Sequence, residues 1–460
     1  MNDKTSFERY VIEAFDHEGT GRPVPDAIHD DLITRAGRQR QWPTWLASVK
    51  EPPMRLSNSL AVGSPTVRVA AIVAATLLLI LSVAAAGIAG TRLLAASGDI
   101  VVDPDGNGDY TTINEAVAAA DDGDTVVIKA GTYPESVLVT KAITIRGDEP
   151  GTATIEVAEG CTTDTDTWET TCPSDTPTYS LEEGDVGGPY GFVLEGTNAT
   201  IKDIHVHIHE LAASVIVNGG SALLEGLSTS TGPDNGLVMS FGGDSRVSIT
   251  GSDLGRSWLL PDEASHMTIE DSDFEAIFLN HSAGSEPNVL RDNRISGTIY
   301  FTGPTIIENN EFIGRAEGWR FDPMITADGT DWAVRGNTFA EAESGEGAIN
   351  VGYMAGPGTI EGNTFTNNSI GIVSASRDLL DVADNVLTDG KIGIRLDDGS
   401  PSLIGNTVEG MTDSGISMMI SDPALSGNAL CGNNIDLNIG PGSSPVVDAD
   451  NEICVTETPE

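Results

Sequence analysis

Three histidines at alternate positions are the densest set of potential metal ligands in the sequence. His205, His207 and His209 are interleaved with the aliphatic residues of the stretch 204–208. On a β-strand, alternate side chains share a face, so the imidazoles would project together while the aliphatic residues enter a core. His-X-His on a strand is a spacing used by zinc sites. The stretch is interpreted as three solvated histidines on a polar face, with a zinc site at His205, His207 and His209 as the alternative. Acidic residues in the matching columns of later strands are Asp253, Asp273 and Glu275.

A second set of side chains has the composition of a sugar-binding face. Aromatic rings stack on sugar faces, and amides or carboxylates bond to sugar hydroxyls. The set comprises Phe278, Tyr300, Asn218, Asn280, Asp328 and Trp319. The two rings are predicted to point outward from neighbouring strands, and Trp319 lies in a loop that either closes over a glycan or packs on the wall. They extend an apolar outward column, which is either a binding groove or a surface covered by loops: Val193, Ile216, Val238, Leu259, Phe278 and Tyr300.

Catalytic chemistry has weaker support in the sequence. A calcium-dependent lyase would need acidic residues and a basic residue on adjacent strands, and Asp328, Asp397 and Arg395 are outward candidates. The run Asp103–Asp109 resembles the start of a calcium loop, but Asn114 stands where the last acidic ligand belongs. The sequence therefore requires no cofactor, and a calcium or zinc ion remains an option.

A short phrase repeated at a fixed interval shows which elements position these side chains. An asparagine between two apolar runs recurs 21 or 22 residues apart at Asn363, Asn385, Asn406 and Asn428. Such a period, with short strands separated by Gly, Asn and Asp turns, is typical of a stacked β-solenoid. The phrase extends backwards to Asn293, Asn310 and Asn337, with Ser252 and Ser272 in the same slot. The amides are expected to stack in the turn as an asparagine ladder.

The pattern resembles the right-handed parallel β-helix superfamily, the pectin-lyase-like fold that includes the NosD-like repeat proteins. The resemblance covers the chain from about Gly98 onwards. It implies an all-β solenoid of about 11–12 coils, and an architecture that carries lyases, hydrolases, esterases, adhesins and binding proteins. The stretch Ile100 to Gly147 resembles the opening of pectinesterases, where a helix plugs the first coil, here over Thr112 to Ala120. The catalytic phrase of that family does not follow.

Four cysteines fall into two local pairs, and each pair is predicted to form a disulfide in an exported domain. The pairs are Cys161 with Cys172 and Cys431 with Cys454. The first pair would hold the base of an acidic insertion over residues 151–190. It separates the cap and first coil, residues 98–150, from the repeats of residues 191–460.

Charge and hydropathy divide the chain at its N-terminal quarter. Residues 1–96 carry 10 basic and 9 acidic side chains, whereas the remainder carries 14 and 60. Such a surface should repel nucleic acid. No charge occurs from Val69 to Thr91, so residues 69–93 are predicted to form a transmembrane helix. A cleaved leader is the alternative. Basic residues concentrate before the span, which places helical residues 1–68 in the cytoplasm and the β-helix outside.

Together these features predict a single-pass membrane protein whose extracellular β-helix binds polysaccharide or cell-surface glycan without catalysis. A polysaccharide lyase or glycoside hydrolase is the first alternative, and a structural stalk or adhesin is the second.

Overall fold

A computed structural model describes the chain from Asp99 to Glu457, with several gaps. The described residues are 99–157, 161–163, 170–179, 188–209, 212–231, 237–255, 257–261, 265–275, 277–279, 286–313, 323–343, 345–376 and 380–457. No helix among them is long and apolar enough to cross a membrane. The predicted cytoplasmic segment and transmembrane helix, residues 1–68 and 69–93, lie outside the described residues.

The described chain winds into an all-β parallel solenoid of about 13 turns, slightly more than the 11–12 expected. Each complete turn passes through three columns of strands, called here sheets 1, 2 and 3 in the order in which the chain visits them. Two long strands, Gly188–Lys202 and Ala213–Glu225, run from sheet 3 into sheet 1. The other strands of sheet 1 are Ile100–Val102, Thr125–Ile128, Thr144–Gly147, Arg246–Thr250, His266–Glu270, Asn288–Arg291, Thr305–Glu308, Trp332–Arg335, Gly358–Glu361, Leu380–Ala383, Ser402–Ile404, Ala424–Ser426 and Val446–Val447.

Sheets 2 and 3 complete each turn. Sheet 2 contains Gly131–Tyr133, Ala153–Val157, His205–Ile208, Ser228–Thr231, Asp273–Phe274, Arg294–Ile295, Glu311–Phe312, Thr338–Ala340, Thr364–Thr366, Val386–Thr388 and Thr407–Glu409. Sheet 3 also contains Val137–Val139, Leu237–Gly242, Ser257–Pro261, Ile277–Leu279, Ile299–Phe301, Ile325–Ala327, Ile349–Val351, Ile370–Ser374, Ile392–Leu396, Ser414–Met418, Ile435–Ile439 and Thr456–Glu457. Strand Ala153–Val157 belongs to the regular coil, although the sequence assigned it to the insertion.

The core forms because in-register pairing stacks like residues along the axis. In sheet 2, Phe312, Phe339 and Phe365 occupy successive coils with ring centroids 4.5 and 4.7 Å apart and nearly parallel planes. All three rings are at most 1 % exposed. Because alternate strand residues point inward, each coil adds its own apolar layer to one continuous core.

The turn between sheets 1 and 2 contains the asparagine ladder. The Asn385 Oδ1 accepts hydrogen bonds from the backbone N and the Nδ2 of Asn363, both at 3.0 Å. Its own Nδ2 donates to the Ile360 carbonyl and to the Asn406 Oδ1. The same pattern runs through Asn293, Asn310, Asn337, Asn363, Asn385, Asn406 and Asn428, and continues to Asn451.

Both ends of the solenoid are closed by buried or charged groups. At the start lies helix Ile113–Ala119. The Glu135 carboxylate accepts hydrogen bonds from the backbone N–H groups of its first two residues, Ile113 and Asn114, each at 3.0 Å. The Lys141 ammonium donates to carbonyls at the helix C-terminus, at 2.6–3.1 Å. At the other end, the fully buried Asp436 carboxylate accepts hydrogen bonds from two backbone N–H groups of the last segment.

The Cys161–Cys172 and Cys431–Cys454 disulfides are both present, which confirms the predicted pairing. The aspartate-rich run after the first strand is a structural turn. The Asp103 Oδ1 accepts from the Asp105 backbone N, and the Asp109 Oδ2 accepts from the Val101 backbone N.

Candidate functional site

The outward face of sheet 3 carries the predicted sugar-binding column, and its first part is covered. Val193 and Ile216 point outward but are 0 % and 5 % exposed, because Tyr179 and Tyr190 pack over them. The two tyrosine rings meet edge to face at 6.2 Å. Strand Thr178–Tyr179 pairs antiparallel with the start of the long strand that follows the insertion. The insertion thus returns as a cover over this end of the column.

One residue of the predicted column and one of the predicted sugar-binding set have other roles. Leu259 faces the core at 0 % exposure, because it pairs with the inward Met239, and its prediction as an outward residue is wrong. Asn218 points outward, but its Nδ2 donates to the Tyr179 hydroxyl at 2.8 Å. Burial is the main reason that the pKa of Tyr179 is raised. Asn218 therefore holds the cover in place.

Tyr300 and Asp328 meet on the uncovered part of sheet 3. Tyr300 pairs with Thr326 on the next coil, and Asp328 lies two residues beyond Thr326 on the same face. The Asp328 carboxylate lies close enough to the Tyr300 hydroxyl for its charge to act on the phenol. Burial first, and then the charge of Asp328, raise the pKa of Tyr300, so the phenol stays neutral at physiological pH. A half-buried ring and a carboxylate from adjacent coils are thereby brought together.

The next coils bound this patch on the other side. Asn350 follows Thr326 in the outward column, and its Nδ2 donates to the exposed Glu346 at 3.2 Å. Val373 pairs with Asn350 on the next coil. It is only 3 % exposed, because the chain around Gly347 packs against it. The Arg395 guanidinium holds that segment through the Gly345 carbonyl and also pairs with Asp397 at 3.0 Å.

Three members of the predicted set cannot be placed fully. The backbone of Phe278 pairs with Tyr300, as expected for neighbouring outward positions. The Phe278 side chain, Asn280 and Trp319 lie outside the described residues. The described site, called here the sheet 3 patch, therefore consists of Tyr300, Thr326, Asp328, Glu346 and Asn350.

The three histidines lie on the outward face of sheet 2, as their alternation predicts. The His205–His207 ring centroids are 6.5 Å apart, and those of His207 and His209 are 4.7 Å apart. Burial lowers the pKa of His205, and the neighbouring His207 lowers it further. Asp253 and Asp273 do continue this column through Ser228, as the matching of repeats indicated.

Sequence reasoning missed the residues that contact the imidazoles. Glu156 lies opposite His207 on the preceding coil, and its carboxylate contacts the His209 Nε2. Ser228 and Ser230 lie opposite on the following coil and bond to His205 and His207. The signal was the alternation in residues 153–157 and 228–231, which becomes informative only once the register between coils is known.

Comparisons with known proteins agree with the architecture. A family model described as a right handed beta helix region matches residues 275–435, and a pectinesterase model matches residues 99–178. Each match spans less than half of the chain. A search of curated protein sequences finds no match. The β-helix match and the observed solenoid agree on a right-handed β-helix over residues 275–435.

Among solved structures, the catalytic domain of a GH87 alpha-1,3-glucanase in complex with nigerose is similar over 77 % of this chain and 69 % of that one, with 12 % identity and a TM-score of 0.49. The pectin methylesterase from Aspergillus niger aligns over 63 % and 86 %, with 13 % identity and a TM-score of 0.32. The periplasmic alginate epimerase AlgG aligns over 73 % and 77 %, with 11 % identity and a TM-score of 0.39. At these scores the likenesses do not bear on activity.

Proposed function

We propose that the protein binds a neutral polysaccharide at the sheet 3 patch, without cleaving it. The observation that supports this proposal is the register of sheet 3, which places the Tyr300 ring opposite Thr326 and one alternate position from the Asp328 carboxylate. The described strip runs from Tyr300 to Asn350, three coils or about 10 Å long at the backbone. An aromatic ring with polar groups beside it suits sugar faces and hydroxyls.

Charge selects the class of glycan. The chain beyond residue 96 carries 60 acidic and 14 basic residues, and the patch itself carries Asp328 and Glu346. The Arg395 guanidinium, which reaches the Gly345 carbonyl beside the patch, is already paired with Asp397. An anionic polymer would therefore be repelled, and a neutral one is favoured.

Spacing argues against the catalytic alternative for the acidic pair singled out above. Asp328 and Asp397 lie at equivalent positions three coils apart, since Thr326, Asn350, Val373 and Arg395 are successive partners. Three coils span about 14 Å, whereas the two carboxyl groups of glycoside hydrolases lie about 5–9.5 Å apart. This pair therefore cannot work as acid and base on one glycosidic bond.

The test uses the purified full chain in detergent with a panel of soluble neutral and anionic polysaccharides. Tyr300→Ala should weaken binding of a neutral glycan about tenfold, while Tyr300→Phe, which keeps the ring, should weaken it less. Asn280→Ala should also weaken binding. Ile404→Ala removes an exposed apolar side chain from sheet 1 and serves as the matched control.

Two outcomes contradict the proposal. Equal affinity for Tyr300→Ala and the unaltered chain would favour the structural stalk or adhesin. New reducing ends or unsaturated products after incubation with the bound polymer would favour the lyase or hydrolase.

We also propose that residues 69–93 anchor the protein in a membrane, with residues 1–68 cytoplasmic and the β-helix outside. The charge-free span and its basic N-terminal flank support this proposal. The two disulfides also suit an oxidising compartment.

A further inference from the structure

We propose that Glu156, His207 and His209 form a zinc-binding site on the outward face of sheet 2. One ligand atom from each of the three side chains lies within 4.8 Å of the other two. A tetrahedral zinc ion with bonds of about 2.0–2.1 Å places its ligands about 3.4 Å apart. Small side-chain rotations on an outer face therefore close the site, without movement of the backbone.

The register of the solenoid brings these ligands together. His207 and His209 share a face because they are two residues apart on strand His205–Ile208 and its extension. Glu156 lies directly opposite His207 on the preceding coil. The Glu156 side chain is 18 % exposed and that of His209 is 38 %, so an ion would be partly shielded yet accessible.

Hydrogen bonds on the following coil select which histidines can act as ligands. The Ser230 Oγ is 2.7 Å from the His207 Nδ1 and 2.8 Å from the His205 Nε2. One hydroxyl can serve both nitrogens by accepting from one and donating to the other, and zinc binding requires the arrangement in which it accepts from the His207 Nδ1. This assignment leaves the lone pair of His207 on Nε2, which is the arrangement that a bonded partner imposes on metal-ligating histidines.

His205 is excluded from the site by the same network. Its Nδ1 bonds to the Ser228 Oγ at 2.8 Å, and its Nε2 bonds to Ser230. Both ring nitrogens are engaged, so His205 orients the cluster through Ser230 and does not coordinate. Of the three histidines in the sequence motif, the structure therefore assigns two as ligands and adds a carboxylate from another coil.

The ligand set favours zinc over the hard cations. Two imidazoles and one carboxylate match a three-ligand zinc site with a water in the fourth position. Calcium and magnesium prefer oxygen ligands alone. The other compact set, Cys431, Asp436 and Cys454, cannot compete, because its two cysteines are joined in a disulfide.

The experiment measures zinc binding by isothermal titration of the chelator-treated full chain, in the presence of excess calcium. One zinc ion should bind per chain. Glu156→Gln, His207→Gln and His209→Gln should each weaken binding at least about tenfold, whereas His205→Gln, whose amide can still bond to Ser230, should weaken it clearly less than any of the three. The thermal midpoint of each metal-free variant shows whether the fold is retained.

Cobalt provides an independent readout, since its visible absorption reports a four-coordinate site with nitrogen and oxygen ligands. The proposal fails if zinc affinity is unchanged in all three ligand variants. It also fails if the excess calcium abolishes zinc binding, which would indicate adventitious binding to the acidic surface. A loss in His205→Gln as large as in His207→Gln would overturn the assignment of ligands.

Discussion

At the scale of single residues, the side-chain amides of the asparagine ladder make the hydrogen bonds that water would make to the backbone of an exposed turn. Asn363, Asn385 and Asn406 are each 0 % exposed. Each carboxamide oxygen accepts from two N–H groups of the preceding coil, and each amide nitrogen donates to a carbonyl and to the next oxygen. Buried polar groups cost free energy unless they are paired, so every amide depends on its two neighbours.

Asn385→Ala should lower the free energy of unfolding by about 3 kcal/mol, because the buried backbone N of Asn363 loses its acceptor and the Ile360 carbonyl loses the Asn385 amide donor. Asn385→Ser should cost about half as much. The Ser272 Oγ already fills an equivalent slot, where it accepts from the Ser252 backbone N and donates to the Glu270 carbonyl.

Guanidinium unfolding followed by circular dichroism measures both changes. Asn350→Ala, on the outer face of sheet 3, is the control and should change stability by less than about 0.5 kcal/mol. Equal stability of the alanine variant and the unaltered chain would mean that the ladder contributes no net free energy.

At the scale of elements, the sequence predicted the strands better than the surfaces between them. Regular spacing located the asparagine turn because each copy carries its own apolar flanks. A second set of asparagine caps escaped notice: the Asn368 and Asn433 side chains satisfy backbone groups in the turn after sheet 2. Their copies are fewer, and no fixed phrase surrounds them.

The cover over Val193 and Ile216 was equally invisible in the sequence. The packing of Tyr179 and Tyr190 depends on where the end of a long insertion contacts the outward face of sheet 3. No periodic sequence pattern predicts that position. The inward position of Leu259 was missed for a related reason. It pairs with Met239, so its place depends on the register between irregular coils rather than on local alternation.

The cap helix allows a prediction at this scale. Glu135→Gln removes the negative charge next to the helix N-terminus and should destabilise the cap by about 1 kcal/mol. Because each coil contacts only its neighbours, the effect should stay near the first coils. Hydrogen exchange should become about fivefold faster in residues 100–147, with no change beyond residue 293.

Glu149→Gln, an exposed carboxylate of the same region, is the matched control and should leave exchange unchanged. Faster exchange along the whole solenoid would show instead that the coils unfold as one unit.

At the scale of the whole molecule, charge and compartment are linked through the predicted topology. Protease added to intact cells should degrade the β-helix and leave a short membrane-bound fragment, because the positive-inside rule predicts that the basic flank before residue 69 stays in the cytoplasm. Immunoblotting against each end of the chain distinguishes the fragments. A β-helix that survives until the cells are lysed would reverse the proposed orientation.

The asparagine ladder has a consequence for how such a protein can change over generations. The backbone N of Asn363 needs only an amide oxygen in the coil above it, and Asn406, 21 residues beyond Asn385, would present the same group. Recombination that removes or duplicates one whole turn would therefore keep the asparagine ladder continuous where the two remaining coils meet. We expect the solenoid to lengthen or shorten in single-turn steps, while the caps at its two ends remain unchanged.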